Sequence, residues 1–383
     1  MASVKVQIAP ELLQWVLIQT SGMQLSEKNL AHLQSWADGT KEPTFAQIEQ
    51  VSKGTGIPLG YFFLKKPPQE DLSLVEYRTV DSLELDQPSR NLIDTLYNME
   101  QIQFWLRDHA ISEGCQPLKY VGALEKDLPV ADFAREMRDI LRLDENWHER
   151  VHSTDQAFRY LREKISDAGV TVMMNGIVGN NTKRTLSVNE FRAFALIDEY
   201  APLIFINTKD SIGGRVFSLL HEFAHVCFGE NSLFNRKESA ISNVNATETL
   251  CNAAAAEILV PQQVFCEKWE NVHEDNWKQM INTFAKYFCC STTVIARKAL
   301  DCGYIDQKQY AEIAREAKEA YQTKKKGSGG NYYKTAASRI DHRFLKTLSD
   351  GVQSGRTSPT EAYRLTNTNR STFSELVKTV LEG

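Results

Sequence analysis

His221 and His225 stand four residues apart in the run His221-Glu222-Phe223-Ala224-His225. On a helix that spacing puts both imidazoles on one face, one turn apart, where they can bind the same metal ion. Glu222 lies about 100° further round the helix. From there it can reach a water on the metal but is poorly placed to be a ligand. Two neutral imidazoles suit zinc, which takes a third protein ligand and keeps a fourth position open. Glu248, 23 positions after His225, is the expected third ligand. Glu257, about two and a half turns further along the same helix, is the weaker choice. Asn252 follows Glu248 by one turn, shares its face and can accept the free N–H of a ligand histidine. Zinc in such a site lowers the pKa of a water and polarises a carbonyl, while Glu222 takes the proton and returns it to the leaving amine. The bland reading is a helix with two packed histidines. A capped apolar helix followed by a second helix carrying Glu248 and Asn252 favours the metal.

The chemistry asks for more than the ligands. A donor for the developing oxyanion is needed, and Tyr304, Tyr310 and His273 are the candidates. A strand near Arg192–Ile197 or Leu203–Asn207 could hold an extended peptide by strand addition. Cys227, two positions past His225, faces away from the metal and reads as core. Cys251 shares a face with Glu248, and buried packing is preferred over a redox role there.

The elements that must position these residues are legible in part. Gly214 to Phe228 reads as a helix stopped by Gly229, and Ala246 to Leu259 as another, stopped ahead of Pro261. Before them, residues 169–174, Phe191–Ile197 and Leu203–Asn207 read as strands, the last two joined as a hairpin through Asp198–Pro202. From Asn91 to about Lys164 the period is helical, with Leu92, Leu96, Met99, Ile102 and Leu106 on one face and further helices at 132–141 and 155–165. In the first 66 residues, Pro10 marks one helix start and Thr44 caps another that ends near Gly54. Residues 69–90 read as a linker with little regular structure. Lys324–Gly330 (KKKGSGG) is the clearest linker, and Asn331–Gly383 reads as a small helical domain.

The bulk numbers set the class. The chain has 383 residues, 42% apolar and 24% charged, which allows two or three globular domains. No stretch approaches the roughly 18 apolar residues of a membrane span, and no signal peptide is apparent. Seven scattered cysteines, with no CxxC pair, argue against a disulfide framework and a thiolate zinc knuckle. A soluble, cytoplasmic protein is expected. From Lys324 onward the charge is +6 against −11 for the remainder. That asymmetry suggests an acidic partner, nucleic acid or internal docking, set against a merely solvated face.

At these residues the chain resembles the ImmA/IrrE family of bacterial and phage metallopeptidases. The stretch FRAFALIDEYAPLIFIN is similar to the family's strand hairpin, FSLLHEFAHVCFG to its metal helix and ETLCNAAAAEILVP to its ligand helix. Ala254 departs from the pattern, where phenylalanine is common. The resemblance implies a gluzincin-like zinc endopeptidase with His221, His225 and Glu248 as ligands and Glu222 as general base. Residues 1–68 resemble the Xre-type helix-turn-helix of longer members, an architecture often encoded as the antitoxin partner of a toxin, with a C-terminal domain similar to Asn331–Gly383. Only 14 positions separate Gly22 from Trp36, where a full motif needs about 20. Residues 1–66 hold six lysines, five acids and no arginine. A degenerate module used for packing or dimerisation is therefore expected, ahead of a working DNA reader.

The expected architecture is α+β and mostly helical: a small antiparallel sheet with zincin-like metal helices, flanked by helical modules. Its expected parts are the module at 1–68, the linker at 69–90 and a peptidase domain at 91–323 with its metal core at 169–261. A second linker at 324–330 and the basic helical domain at 331–383 complete it. The expected function is zinc-dependent cleavage of a regulatory protein in a toxin–antitoxin, phage or stress-response system. The competing reading is an antitoxin or transcription regulator that binds a toxin or DNA, its metal site structural or vestigial. Neither reading involves a membrane, and both leave room for a homo-oligomer.

Overall fold

Pro10, whose missing N–H costs nothing in a first turn, opens α1 (Pro10–Gln19). In the computed structural model, which describes residues 5–20, 25–68, 75–78, 88–125, 128–229, 241–272, 276–323 and 332–381, α2 (Glu27–Ala37) and α3 (Phe45–Thr55) follow. Thr44 caps α3, and Gln47 closes a capping box with it. The helix runs past Gly54 and stops at Gly56, which takes the left-handed conformation at φ 77°. A 3-10 turn, Leu59–Phe63, completes this part, and Leu13, Val16, Leu33, Trp36, Ile48 and Phe62 form its core. Gly22, on which the spacing of the helix-turn-helix was judged, lies outside the described residues.

Next come β1 (Val75–Arg78), α4 (Arg90–Ser112), α5 (Val130–Leu141), α6 (Thr154–Asp167) and β2 (Thr171–Asn175). A short hairpin, β3 (Ile177–Val178) and β4 (Asn181–Thr185), precedes β5 (Ala193–Leu196) and β6 (Leu203–Asn207). The rest is helical: α7 (Ile212–Phe228), α8 (Ile241–Leu259), α9 (Gln262–Asn271), α10 (Trp277–Tyr287), α11 (Thr292–Asp301) and α12 (Gln307–Thr323), then α13 (Tyr332–Arg339), α14 (His342–Gln353), α15 (Pro359–Leu365) and α16 (Arg370–Leu381). Among the described residues no helix is long and apolar enough to cross a membrane.

The chain divides into two compact units. The smaller gathers Met1–Ser73, Glu84–Asn98 and Gly176–Leu186. Within it the guanidinium of Arg184 packs under Gly56, where a Cβ would come within 2.3 Å, and pairs with Asp94 at 2.7 Å. That arginine is spent on internal contacts.

The larger unit carries the sheet, in the order β1-β5-β6-β2. The α+β reading holds, and three of its expectations need correction. The sheet is mixed, because β2 pairs with β6 in parallel while β5 pairs antiparallel with both β6 and β1. Parallel neighbours need a long connection, and the excursion through β3 and β4 supplies it. The stretch 69–90 is not wholly irregular, since it contains β1. β5 and β6 each have a strand on both sides, so neither offers the open edge expected for an extended peptide. The separate helices expected between 91 and 165 are α4, α5 and α6, with Gly114 and Gly122 at positive φ between the first two.

The basic C-terminal segment packs on this unit. Asp341, 2% exposed, caps α14 by accepting from the backbone N–H of Arg343 and Phe344. Its second oxygen accepts from Val172 N at 3.1 Å, on the outer side of β2. Arg162 donates to the carbonyls of Val172, Ser338 and Ile340. Phe344 meets the ring of Trp105 edge-on at 6.0 Å. Among the described residues the ion pair of Arg356 with Glu113 joins the basic segment to the acidic body. Most of the docking therefore uses buried apolar groups and carbonyl acceptors rather than the charge difference. The linker at 324–330 lies outside the described residues.

Candidate metal centre

α7 is apolar on nearly every side, as a helix enclosed by other elements must be. It packs against α6, α8, β5 and β6, and every residue from Ser218 to Phe228 is buried. Ser211 caps its start by accepting from Gly214 N. At its end, Gly229 adopts φ 64°, and the loop before α5 satisfies the last carbonyls: Gly122 N donates to Val226 O and Leu124 N to Cys227 O. This anchoring fixes the rotation of the histidine face.

α8 supplies the carboxylate. Pro261 ends that helix, and Trp147 Nε1 donates to Ile258 O at 3.0 Å. Glu257 is turned away from the histidines. It accepts from Gln262 N at 2.9 Å and pairs with the Lys298 ammonium of α11 at 2.6 Å, so it is a brace between helices and not a ligand.

Three donors converge. His221 Nε2 and His225 Nε2 are 3.0 Å apart, His221 Nε2 is 3.3 Å from Glu248 Oε2, and His225 Nε2 is 3.2 Å from Glu248 Oε1. Tetrahedral ligands about 2.0–2.1 Å from zinc stand roughly 3.3 Å from one another. The triangle thus has the size and the nitrogen–nitrogen–oxygen composition that a zinc ion takes. Both imidazoles are buried, while Glu248 retains some exposure, so the triangle opens on its carboxylate side. Burial would push the Glu248 carboxyl up, but hydrogen bonds and charge from His221 and His225 hold it well below the usual carboxylate range. An ionised carboxylate facing two imidazole nitrogens is a cation-binding arrangement. Glu222, 1% exposed, is not one of the converging donors, as its position on the helix requires.

Residues 166–300 match the peptidase M78 family, described as the IrrE N-terminal-like domain. The IrrE-like region runs from the end of α6 to α11 and holds all three donors together with Glu222. Residues 340–379 match a domain of unknown function, DUF8813, which corresponds to α14–α16. Neither match reaches residues 1–68. No curated protein and no solved structure matches the chain.

The other residues singled out in the IrrE-like region and after it fare unequally. Asn252 lies one turn past Glu248, but its Oδ1 is buried with no hydrogen-bond partner among the described residues, so the expected bond from a histidine N–H is not formed. Cys227 and Cys251 are fully buried, and burial raises the Cys227 thiol pKa far above its ordinary value. Tyr304 stacks on Trp269 and points its hydroxyl at Glu270, and Tyr310 packs against the helical core near Arg297. Nothing draws either toward the donor triangle. His273 lies outside the described residues. The brace from Glu257 to Lys298 was missed from the sequence, although a lysine on an otherwise apolar helix face was a usable signal.

Proposed function

We propose that the chain is a zinc-dependent endopeptidase that cleaves a regulatory protein in a toxin–antitoxin, phage or stress-response system. The convergence of His221, His225 and Glu248 beside the buried Glu222 carries this reading. A zinc ion bound there would supply Lewis-acid polarisation of the scissile carbonyl and acidify a water. His221, His225 and Glu248 hold that ion. Glu222 accepts the proton of the attacking water and returns it to the departing amine. The match to the IrrE-like family supports the chemistry, and seven free thiols suit the cytoplasm.

A specific observation favours the competing reading, an antitoxin or regulator acting by contact. Strands flank both β5 and β6, which takes away strand addition at the two places expected for a peptide substrate and leaves only β1 and β2 as edges among the described residues. One variant separates the two. Glu222→Gln keeps the shape and the ligands but cannot accept a proton. Metal analysis of chelator-free protein should show about one zinc per chain in wild type and variant alike. Cleavage of the protein encoded by the neighbouring gene should fall by about a hundred- to ten-thousand-fold in the variant. Full biological effect of Glu222→Gln would sink the peptidase mechanism and favour action by contact. A metal-free wild type would sink both forms of the metal reading.

A further inference from the structure

The sulfurs of Cys266 and Cys302 lie 3.8 Å apart although 36 residues separate them in sequence. Cys266 sits in α9, and Cys302 is the C-cap of α11. Both are half-buried, whereas Cys227, Cys251, Cys289 and Cys290 are buried outright. A disulfide needs the sulfurs to close to about 2.05 Å. Rotation about the two Cα–Cβ bonds is the movement that would bring them together. We propose that Cys266 and Cys302 are an oxidation site: a dithiol that a hydroperoxide converts into a reversible disulfide.

The balance is simple. One thiolate attacks the peroxide oxygen, breaking the O–O bond and forming a sulfenic acid, and the displaced hydroxide takes a proton. The second thiol then attacks that sulfur and expels water. Two thiols and one hydrogen peroxide give one disulfide and two waters, the sulfurs being oxidised and the peroxide reduced. Burial, with the neighbouring thiol, pushes the Cys302 pKa up to about 11. The 3.8 Å separation lets either sulfur take the oxygen and the other resolve it.

The staple would matter because of what it joins. α9 follows α8 directly through Pro261, and α8 carries Glu248. Lys298, one turn before Cys302, already grips Glu257 of α8. A bond from Cys266 to Cys302 would close a ring through α8, α9 and α11, tying down the helix that presents the carboxylate.

The test uses the full-length protein and hydrogen peroxide. After treatment and alkylation, peptide mass spectrometry should find Cys266 linked to Cys302, with dithiothreitol restoring both thiols. The oxidised protein should melt about 5–10 °C higher than the reduced one. Cys302→Ser and, as a second variant, Cys266→Ala should lose the link and the thermal shift. In the reduced state both should melt close to wild type, which shows that they are folded. The proposal fails if both thiols remain alkylatable after peroxide, if either goes to sulfonic acid without a link, or if the link forms and leaves the melting temperature unmoved. None of these outcomes depends on zinc or on peptidase activity.

Discussion

His148 is fully buried among Trp147, Tyr287 and Phe288, and neither ring nitrogen has a hydrogen-bond partner among the described residues. Burial lowers its pKa from 6.5; Glu149 opposes the shift and Lys268 adds to it. The sign follows. The unfolded chain takes up a proton near pH 6.5 and the folded chain only at lower pH, so the contribution of His148 to stability is complete above 6.5 and is lost as the pH falls below it. Thermal melts of wild type should therefore lose ground between pH 7.5 and 5.5, and His148→Phe should lose less. Parallel slopes for the two proteins would refute the assignment. At this scale the convergence of the two histidines was readable because helical spacing alone brings His221 onto the face of His225 and turns Glu222 aside. The role expected for Asn252 was not, since a shared helix face does not fix which way an amide points. Nor could spacing show that Cys266 meets Cys302, a contact made by the packing of α9 on the end of α11.

The C-terminus of α7 shows how an element holds its site. Gly229 has φ 64°, and a Cβ built on it would lie 2.3 Å from Gly122 Cα. Gly229→Ala should cost about 2–4 kcal/mol, from the left-handed backbone and from forcing apart two glycine-lined segments. Gly229→Asn tolerates the backbone better but meets the same obstruction, so it should recover only part of the loss. Thermal denaturation of the two variants checks this, and a cost below 0.5 kcal/mol for alanine would mean that the loop moves aside freely. The stop at Gly229 was legible because glycine after an apolar helix is a strong signal. The hairpin of β3 and β4 was not: β4 is Asn-Thr-Lys-Arg-Thr, polar and largely exposed, without the alternation that marks a half-buried strand. β1 was hidden by its length of four residues, and the parallel pairing of β2 with β6 by the fact that register across a crossover is not local information.

Across the larger unit, the basic segment is a structural part of the fold. Asp341 holds a helix start and a strand edge with one carboxylate. Asp341→Ala removes the cap of α14 and leaves the buried Val172 N–H without its acceptor, for an expected loss of about 2–4 kcal/mol. Asp341→Asn keeps one oxygen for the cap of α14 but turns an NH2 donor toward the Val172 N–H, so it should recover only the capping part of the loss. Hydrogen exchange at Val172 is the direct readout, and continued protection in the alanine variant would show that another group takes over. The sequence disclosed the charge imbalance that suggested docking but not its means, because apart from the ion pair of Arg356 with Glu113 the contacts described are carbonyls, an aromatic pair and one carboxylate. Net charge does not tell which groups these charged side chains meet.

The distance along the chain between Val172 and Asp341 is 169 residues. At typical synthesis speeds of 5–20 residues per second, the ribosome needs on the order of ten to thirty seconds to supply the second after the first. Throughout that interval β2 waits with an unanswered amide on its outer side, where a strand from another nascent chain can pair. A chain shortened before residue 341 lacks that acceptor and leaves the Val172 amide open to pairing. A purified chain shortened to residue 330 should therefore self-associate through that edge under conditions where the 383-residue chain does not, and equal association of the two would show that the edge is covered by other means.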